Sequence, residues 1–440
     1  MQLYSTNNPN LKSDLKNAVL KSLAEDRGLY MPESIPALAH HFIDQIEKYS
    51  FQEIAFEVCK TLFKDYIPLK DLQEIINNSI NFEAPVVMLD DKIGSLELWH
   101  GPSLAFKDFG ARFMAALMSY FNKGNEEKLT ILVATSGDTG GAVAFGFLGV
   151  PGVEVIILYP KGKVSLLQEK QLTTLGQNIT ALEIEGTFDD CQALVKEAFL
   201  DKELNEKYRL SSANSINISR LIPQSFYYFE AYKQLKKFGK KVVFSVPSGN
   251  FGNLTAGLLA AKMGLPVHRF IAATNINKIV PEYLTTGIFD PKPSIATISN
   301  AMDVGNPSNF PRMTELFQKS WDSMTSLVSG YFYTDEETRE EMKFIYNKYN
   351  YVTDPHGATG CKALRTYLSD HPECIGVFLE TAHPAKFQDV VNKTLNIEVE
   401  IPERLAILSS GEKKSKLMGI DFANFKAYLL QRKSKKTTEK

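Results

Sequence analysis

The sequence predicts an α/β protein with open, mostly parallel sheets, flanking helices and a helical N-terminal region. Three observations carry that expectation. From about Leu129 onward, short β-branched runs such as "LTILVAT", "VEVIILY" and "NITALEIE" alternate with amphipathic stretches such as "SLLQEKQLTTLG" and "FDDCQALVKEAFL". That rhythm marks βαβ units, whose strands pair in parallel. Two strand-to-helix turns, "ATSGDTGGA" and "VPSGNFGNL", are rich in glycine and small polar residues. The region before about residue 90 carries helical periodicity instead.

Taken in order, "SDLKNAVLKSLAEDRG" reads as a helix stopped by Gly28, and "YMPESIPAL" as a proline-punctuated link to a second helix around "FQEIAFEVCKTLF". In "LELWHGPSLAFKDFGARFM", residues 96–114, a helix is expected from about Leu104. On it Phe109, Phe113, Ala116, Leu117 and Tyr120 share one stripe, spaced for a core. Lys107, Gly110, Ala111 and Met114 share another, whose small residues leave room beside the lysine for a flat group. The βα rhythm resumes with "KKVVFSV", "VHRFIAAT" and "CIGVFLET". Residues 281–311, rich in Pro, Ser and Asn, read as an ordered, irregular excursion near the site, because they keep Ile288 and Phe289. The tail "QRKSKKTTEK" reads as a frayed, solvated end. These shifts divide the chain into a mainly helical domain at 1–95 and α/β domains at 96–235 and 236–440.

The chain has 440 residues, 44% hydrophobic and 23% charged, which suits a globular protein with more than one core. A formal charge of −2 argues against a nucleic-acid partner. No apolar run reaches the length of a bilayer and no signal-peptide pattern opens the chain, so a cytoplasmic protein without a membrane partner is expected. Cys59, Cys191, Cys361 and Cys374 lie far apart with no C-x-x-C pair, as reduced thiols do. Cys191 reads as core. Cys361, beside a third glycine-rich turn in "DPHGATG", reads as structural. The histidines show no metal-ligand spacing, and no metal is expected.

In the first glycine turn, Thr135-Ser136-Gly137-Asp138-Thr139-Gly140 follows a strand ending near Ala134. In the second, Ser248-Gly249-Asn250-Phe251-Gly252-Asn253 follows a strand ending near Val246. Glycine allows a tight turn and close approach of a ligand to the amides, and the helix dipole favours an anion. Neither turn matches G-x-x-x-x-G-K-[ST] or G-x-G-x-x-G, which disfavours P-loop and dinucleotide sites. The pair reads as two anion pockets on one sheet edge, where open α/β sheets bind ligands.

Lys107 stands between Phe106 and the triplet Asp108-Phe109-Gly110. The catalytic loop and glycine-rich lid that accompany D-F-G in protein kinases are missing. One reading of Lys107 is a side chain snorkelling to water beside its aromatic neighbours. The other is a buried amine whose lowered pKa leaves it nucleophilic toward an aldehyde. An aldehyde that also carries phosphate needs an anion pocket, and pyridoxal phosphate is the cofactor with both groups.

The motifs "HGPSLAFKDFGARFM", "TSGDTGGA", "NSINISRLIPQ", "PSGNFGNLTAG", "AMDVGNPSNFPR" and "ETAHPAKF" together resemble the threonine synthase family, in order. "YSTN" and "EDRGLYMPE" resemble its N-terminal region, so the likeness covers nearly the whole chain. The resemblance implies a fold-type II pyridoxal-phosphate enzyme, a lyase of threonine biosynthesis that converts O-phospho-L-homoserine and water to L-threonine and phosphate. By motif position it implies Lys107 as the Schiff-base lysine and proton shuttle. Gly249, Asn250, Phe251 and Asn253 would form the cup for the cofactor phosphate. Thr381 would hydrogen-bond the pyridine nitrogen, which a hydroxyl leaves without a full positive charge. Thr135, Ser136, Asp138 and Thr139 would embrace the amino-acid end of the substrate. Asn214, Ser215 and Arg220 would hold its phosphate, a dianion suited to a guanidinium. Many relatives carry Asn where Asp138 stands, touching the ring hydroxyl of the cofactor. An ionised aspartate accepts but does not donate, so that contact is not carried over.

Around these residues, His100 and His383 read as packing histidines, and Asp108 as a helix-start cap or cation partner. The expected assembly is a monomer or homodimer. Two rival activities share the motifs. A phospholyase on this scaffold would give 2-oxobutanoate, ammonia and phosphate. A non-catalytic carrier of the cofactor would have no use for the substrate set that includes Arg220.

Overall fold

A computed structural model describes residues 1–438, with side chains through Lys433. Strands β1 (Gln2–Ser5), β2 (Lys12–Asp14) and β3 (Tyr30–Pro32) pair antiparallel in the order β2-β1-β3. The N-terminal region is therefore not helical throughout. Its first helix spans Leu15–Lys21, capped where Asp14 accepts from the Asn17 amide at 2.7 Å. It ends at Ser22, whose φ is 71° and whose buried hydroxyl donates to the Ser212 carbonyl at 2.9 Å. Gly28 serves a different purpose, since a Cβ there would lie 1.9 Å from Ser5 Oγ. Helical periodicity could not reveal either contact.

The middle of the chain supplies β4 (Val86–Met88), β5 (Ile93–Glu97), β6 (Leu129–Ala134), β7 (Val153–Pro160), β8 (Ile179–Ile184) and β9 (Arg209–Ser212). The remainder supplies β10 (Lys241–Pro247), β11 (Arg269–Thr274), β12 (Val328–Phe332), β13 (Cys374–Glu380) and β14 (Ser415–Met418). One sheet runs β12-β11-β10-β13-β5-β4, parallel except for the edge strand β4. The other runs β14-β8-β7-β6-β9 and is parallel throughout. Helices cover both faces, so central strands such as "VVFSVP" and "LTILVA" are continuously buried. The expected α/β architecture holds. The sheets do not divide by sequence, however. Strands β4 and β5, on either side of residue 91, join the sheet built on β10 and β13, and β14 near the C-terminus joins the sheet built on β6. Among the described residues no helix is long and apolar enough to cross a membrane.

The helix carrying Lys107 spans Lys107–Asn122 and so begins three residues later than expected. The reason lies in residues 104–106, which pair with residues 381–383 instead of coiling. Ala105 forms an antiparallel bridge with Ala382, the Phe106 amide donates to Thr381 at 2.8 Å, and the His383 amide donates to Leu104 at 3.0 Å. On the core stripe Phe109, Phe113 and Leu117 are fully buried, with Ala116 and Tyr120 at its margin. The small residues of the other stripe do not leave an open slot. A Cβ at Gly110 would lie 2.6 Å from Arg220 Nε, and the Ala111 backbone packs 3.1 Å from the Cβ position of Gly146. They let a guanidinium and a neighbouring helix approach closely.

The excursion at 281–311 is ordered. Asn275 and Asn277 anchor its base by donating to Asp303 at 2.9 and 3.3 Å and to Thr297 and Ile295 at 2.8 Å. Phe289 stacks on Phe310 at 3.8 Å, whereas Ile288 is 68% exposed. The expected frayed tail is partly folded: a helix spans Phe422–Thr438, with Lys433 at 3.0 Å from Glu127. Residues 439–440 of that tail lie outside the described residues.

Gly257 shows how tightly the helix Gly252–Lys262 is packed, since a Cβ there would lie 2.6 Å from Phe270 and 2.8 Å from Tyr228. Alanine would regain about 0.5–1 kcal/mol of helix propensity. Overpacking would cost about 1–3 kcal/mol and should win. Gly257→Ala is therefore expected to lower the midpoint of denaturant unfolding; an unchanged or raised midpoint would mean that the two rings yield.

Candidate active site

The ends of β6 and β10 open onto one cavity, and every residue singled out above for a site role lines it. The two strands belong to different sheets. The glycine turns thus reach the cleft from two sheets, where the sequence pointed to a single sheet edge.

Lys107 occupies the first position of its helix, with its side chain 16% exposed. Its Nζ lies 4.7 Å from the Phe106 ring centre and 3.8 Å from Asp138 Oδ2. The amine is directed at an acid inside the cleft, which replaces the snorkelling arrangement. Burial is the main force lowering its pKa. Asp138 opposes that shift, and the Lys386 and Arg220 charges add to it. Asp138 is buried beside two lysines: its Oδ1 lies 2.6 Å from Lys386 Nζ and accepts from Gln168 Nε2 at 2.9 Å. Burial resists its ionisation, but the two lysines and these hydrogen bonds prevail and hold the carboxyl well below the usual range.

Other polar groups of the first turn face inward to the loop. Thr135 Oγ1 accepts from the Gly137 and Gly140 amides at 2.9 and 2.8 Å, and Gly137 has a φ of 133° that favours glycine. Ser136 and Thr139 are half-buried at the cavity. In the second turn Asn253 braces the loop, donating to the Pro247 carbonyl at 2.9 Å and accepting from Ser248 Oγ at 2.7 Å. Phe251, at a φ of 58°, precedes the helix and supplies no side-chain cap. The Gly252 and Asn253 amides therefore remain available to an anion, whereas the Leu254 amide donates to Asn253 Oδ1 at 2.9 Å.

The excursion closes over this second turn. Asn250 Oδ1 accepts from the Ser308 amide at 3.2 Å, and a Cβ at Gly249 would lie 2.4 Å from the Ala301 carbonyl. Beside them, Ser215 Oγ sits 3.3 Å from Ser308 Oγ, and Asn214 donates to the Ala134 carbonyl at 2.9 Å. Arg220 is buried and donates through Nη1 to the Ala213 carbonyl, while its Nε has no partner. Burial lowers its pKa to about 10 against the pull of Asp108, so it is still a cation at neutral pH. Thr381 borders the cavity at the end of β13.

Several residues here escaped the sequence reading. His356 accepts from the Ala301 amide at 3.2 Å and pairs through Nδ1 with Asp354 at 2.8 Å. Its segment is a helix, Pro355–Asp370, and not a glycine turn. Gly357 makes room for Glu380, whose Oε2 would lie 1.6 Å from a Cβ. Lys386 carried no local signal that its ammonium is buried against Asp138. His100 stacks on Trp99 at 4.1 Å and pairs with Glu97 at 2.9 Å. His383 meets the same ring edge-on at 4.7 Å, and burial lowers its pKa to about 4. Asp108 folds back to accept from the Ser103 amide at 2.8 Å, and burial raises its pKa to about 6. The four cysteines are unpaired and buried. Among the described residues, His268, Glu373 and Cys374 bring possible metal-ligating atoms within 4.8 Å of one another, at the opposite strand ends of the six-stranded sheet. Lys241 Nζ, 3.7 Å from Glu373 Oε1, already supplies a counter-charge there.

The cavity fits pyridoxal 5'-phosphate by its donor set: a desolvated primary amine for an aldehyde and a glycine turn without a side-chain cap for a phosphate. The family model for pyridoxal-phosphate dependent enzymes matches residues 96–374. The models for the threonine synthase N terminus and C-terminal region match residues 2–80 and 357–429. The threonine synthase of Haemophilus influenzae is 46% identical over 432 residues, covering 98% of this chain and 100% of its own. The crystal structure of threonine synthase from Escherichia coli aligns with a TM-score of 0.92 at 44% identity, covering 98% of this chain and 100% of that one. A PLP-bound threonine synthase from Brucella melitensis aligns with a TM-score of 0.90 at 34% identity, covering 97% and 98%. The chain belongs to the threonine synthase family, pyridoxal-phosphate-dependent lyases of threonine biosynthesis.

Proposed function

We propose that the substrate is O-phospho-L-homoserine, converted with water to L-threonine and phosphate. One observation carries this reading: a single cavity combines the Lys107 amine with both an uncapped glycine turn and the buried Arg220 cation. A cofactor phosphate and a substrate phosphate need two such anion sites on one amine.

In this reading Lys107 bonds the cofactor and then moves protons at substrate Cα, Cβ and Cγ. Pyridoxal 5'-phosphate, when bound, supplies the electron sink that makes protons at Cα and Cβ removable. Gly249, Asn250, Phe251 and Asn253 hold the cofactor phosphate through the helix start, and Thr381 faces the ring nitrogen. Ser136 and Thr139 receive the amino-acid end of the substrate, on a turn that Thr135 stiffens from within. Arg220, with Asn214 and Ser215, holds the substrate phosphate, and the guanidinium stays charged across the working pH range. Desolvation keeps the amine of Lys107 available as a base. All these groups come from one chain, so a monomer is sufficient, and a homodimer is compatible with the same site. Reduced, buried cysteines support a cytoplasmic location.

Three outcomes test the assignment. Incubation of the purified protein with pyridoxal 5'-phosphate and O-phospho-L-homoserine should release threonine and phosphate in equal amounts; 2-oxobutanoate and ammonia in place of threonine would favour the lyase. Lys107→Ala should abolish turnover while circular dichroism and the unfolding midpoint persist, and threonine formation by that variant would sink the role given to Lys107. Arg220→Lys removes the planar donor fork and should raise KM for phosphohomoserine by roughly tenfold or more, as losing a charged hydrogen bond of about 1.5–3 kcal/mol requires. An unchanged KM would place the substrate phosphate elsewhere.

A further inference from the structure

Asp138 has two carboxylate edges with different partners. Oδ2 lies 3.8 Å from Lys107 Nζ, and Oδ1 lies 2.6 Å from Lys386 Nζ. Lys386 sits in the short turn Pro384–Phe387 after β13, with a side-chain exposure of 0%. Its ammonium also donates to the Ser103 carbonyl at 3.0 Å, which accepts from Gln171 Nε2 at 2.9 Å as well. A buried ammonium is expensive to keep, and an apolar side chain of similar volume often packs as stably. The reason for this charge is best sought in the cleft beside it.

The amine of Lys107 is faced by charge from several elements. Asp138 comes from the helix Asp138–Phe147, and Asp354 from the start of the helix Pro355–Asp370. Both favour its protonated form. Lys386 and Arg220 oppose it, as does burial. Asp108 lies next to Lys386 and Arg220, His356 is held by Asp354, and His383 beside Lys386 is neutral at working pH. Lys386, paired with Asp138 at the shorter distance, offsets part of the carboxylate's pull on Lys107, although Asp138 remains the stronger of the two.

We propose that Lys386 is a positioning residue for the reaction: it clamps Oδ1 of Asp138 so that the carboxylate remains ionised with Oδ2 toward Lys107, and it supplies the counter-charge that would otherwise come from a protonated Lys107. The proposal rests on the role of Lys107 given above. The sign of its consequence is fixed by electrostatics. Removing a positive charge beside the Lys107–Asp138 pair increases the pair's affinity for one proton, whichever atom carries it. The nitrogen that Lys107 contributes must then titrate at higher pH.

The test uses the holoenzyme and three variants. In Lys386→Gln, which keeps a hydrogen-bond donor but no charge, the pH midpoint of the bound cofactor's visible absorbance should rise by about one unit. The acid limb of the kcat/KM profile should rise with it. Lys386→Arg should restore both. The double variant Lys386→Gln with Asp138→Asn removes both buried charges, protects against misfolding from an unpaired acid, and should return the midpoint toward that of the unaltered protein. A purely structural Lys386 would lower stability or cofactor occupancy without moving the midpoint, and that result would overturn the proposal. So would a double variant that shifts as far as the single one. Lys107→Ala separates the two levels: if it still forms the absorbing adduct, the assignment of Lys107 fails. If it is silent while Lys386→Gln leaves the midpoint unmoved, only the proposal for Lys386 fails.

Discussion

The site depends on a short antiparallel clasp between residues 104–106 and 381–383. Its backbone bonds, Phe106 to Thr381 and His383 to Leu104, prevent the helix from starting earlier and make Lys107 its first residue. They also bring the end of β13 against the helix start. Thr381 borders the cavity, and the turn after His383 swings Lys386 back to Asp138. Without the clasp Lys107 would sit inside a helix and the two halves of its charge environment would belong to separate parts of the chain. Three residue pairs thus set where the amine stands and which ions surround it.

The electrostatics of the cavity follow from burial acting on a group of mixed charges. Two lysines flank one carboxylate that is firmly ionised, Arg220 acts on Lys107 from another side, and Asp108 lies close to Lys386 and Arg220. Lys386 and Arg220 bring positive charge to a cleft that also holds the carboxyl groups of Asp138, Asp303 and Asp354. Burial, with those two cations, disfavours a proton on Lys107. One arrangement therefore attracts anions and frees a base, with Asp138 preventing the repulsion among cations from becoming prohibitive.

Local chemistry was visible in the sequence where a residue type is required by its backbone or by its ligand. The glycine turns, the strands feeding them and the lysine among phenylalanines could be located because glycine, β-branched runs and a misplaced ammonium each carry a local signature. What escaped were properties of contact. Gly110 looked like open space and is filled by Arg220. Gly28 looked like a helix stop and accommodates Ser5. Lys386 carried no local mark of its burial against Asp138. The small N-terminal sheet was hidden because strands of three or four residues are too short to show a period of two. The single sheet edge was an error of the same kind, since sequence order does not reveal which strands become neighbours.

The exchange of strands between the two large sheets bears on how the protein is made. Ile93 in β5 pairs with Gly376 in β13, which leaves the ribosome roughly 280 residues later. Ser415 in β14 likewise joins Ala181 in β8 roughly 230 residues after that strand is made. Neither sheet can be finished by the segment that begins it. Nascent chains must hold parallel strands with unpaired edges over those intervals, the condition under which aggregation competes with folding. The cavity, lined by residues from Phe106 to Thr381 and reached from both sheets, cannot close until both sheets have gathered their distant strands.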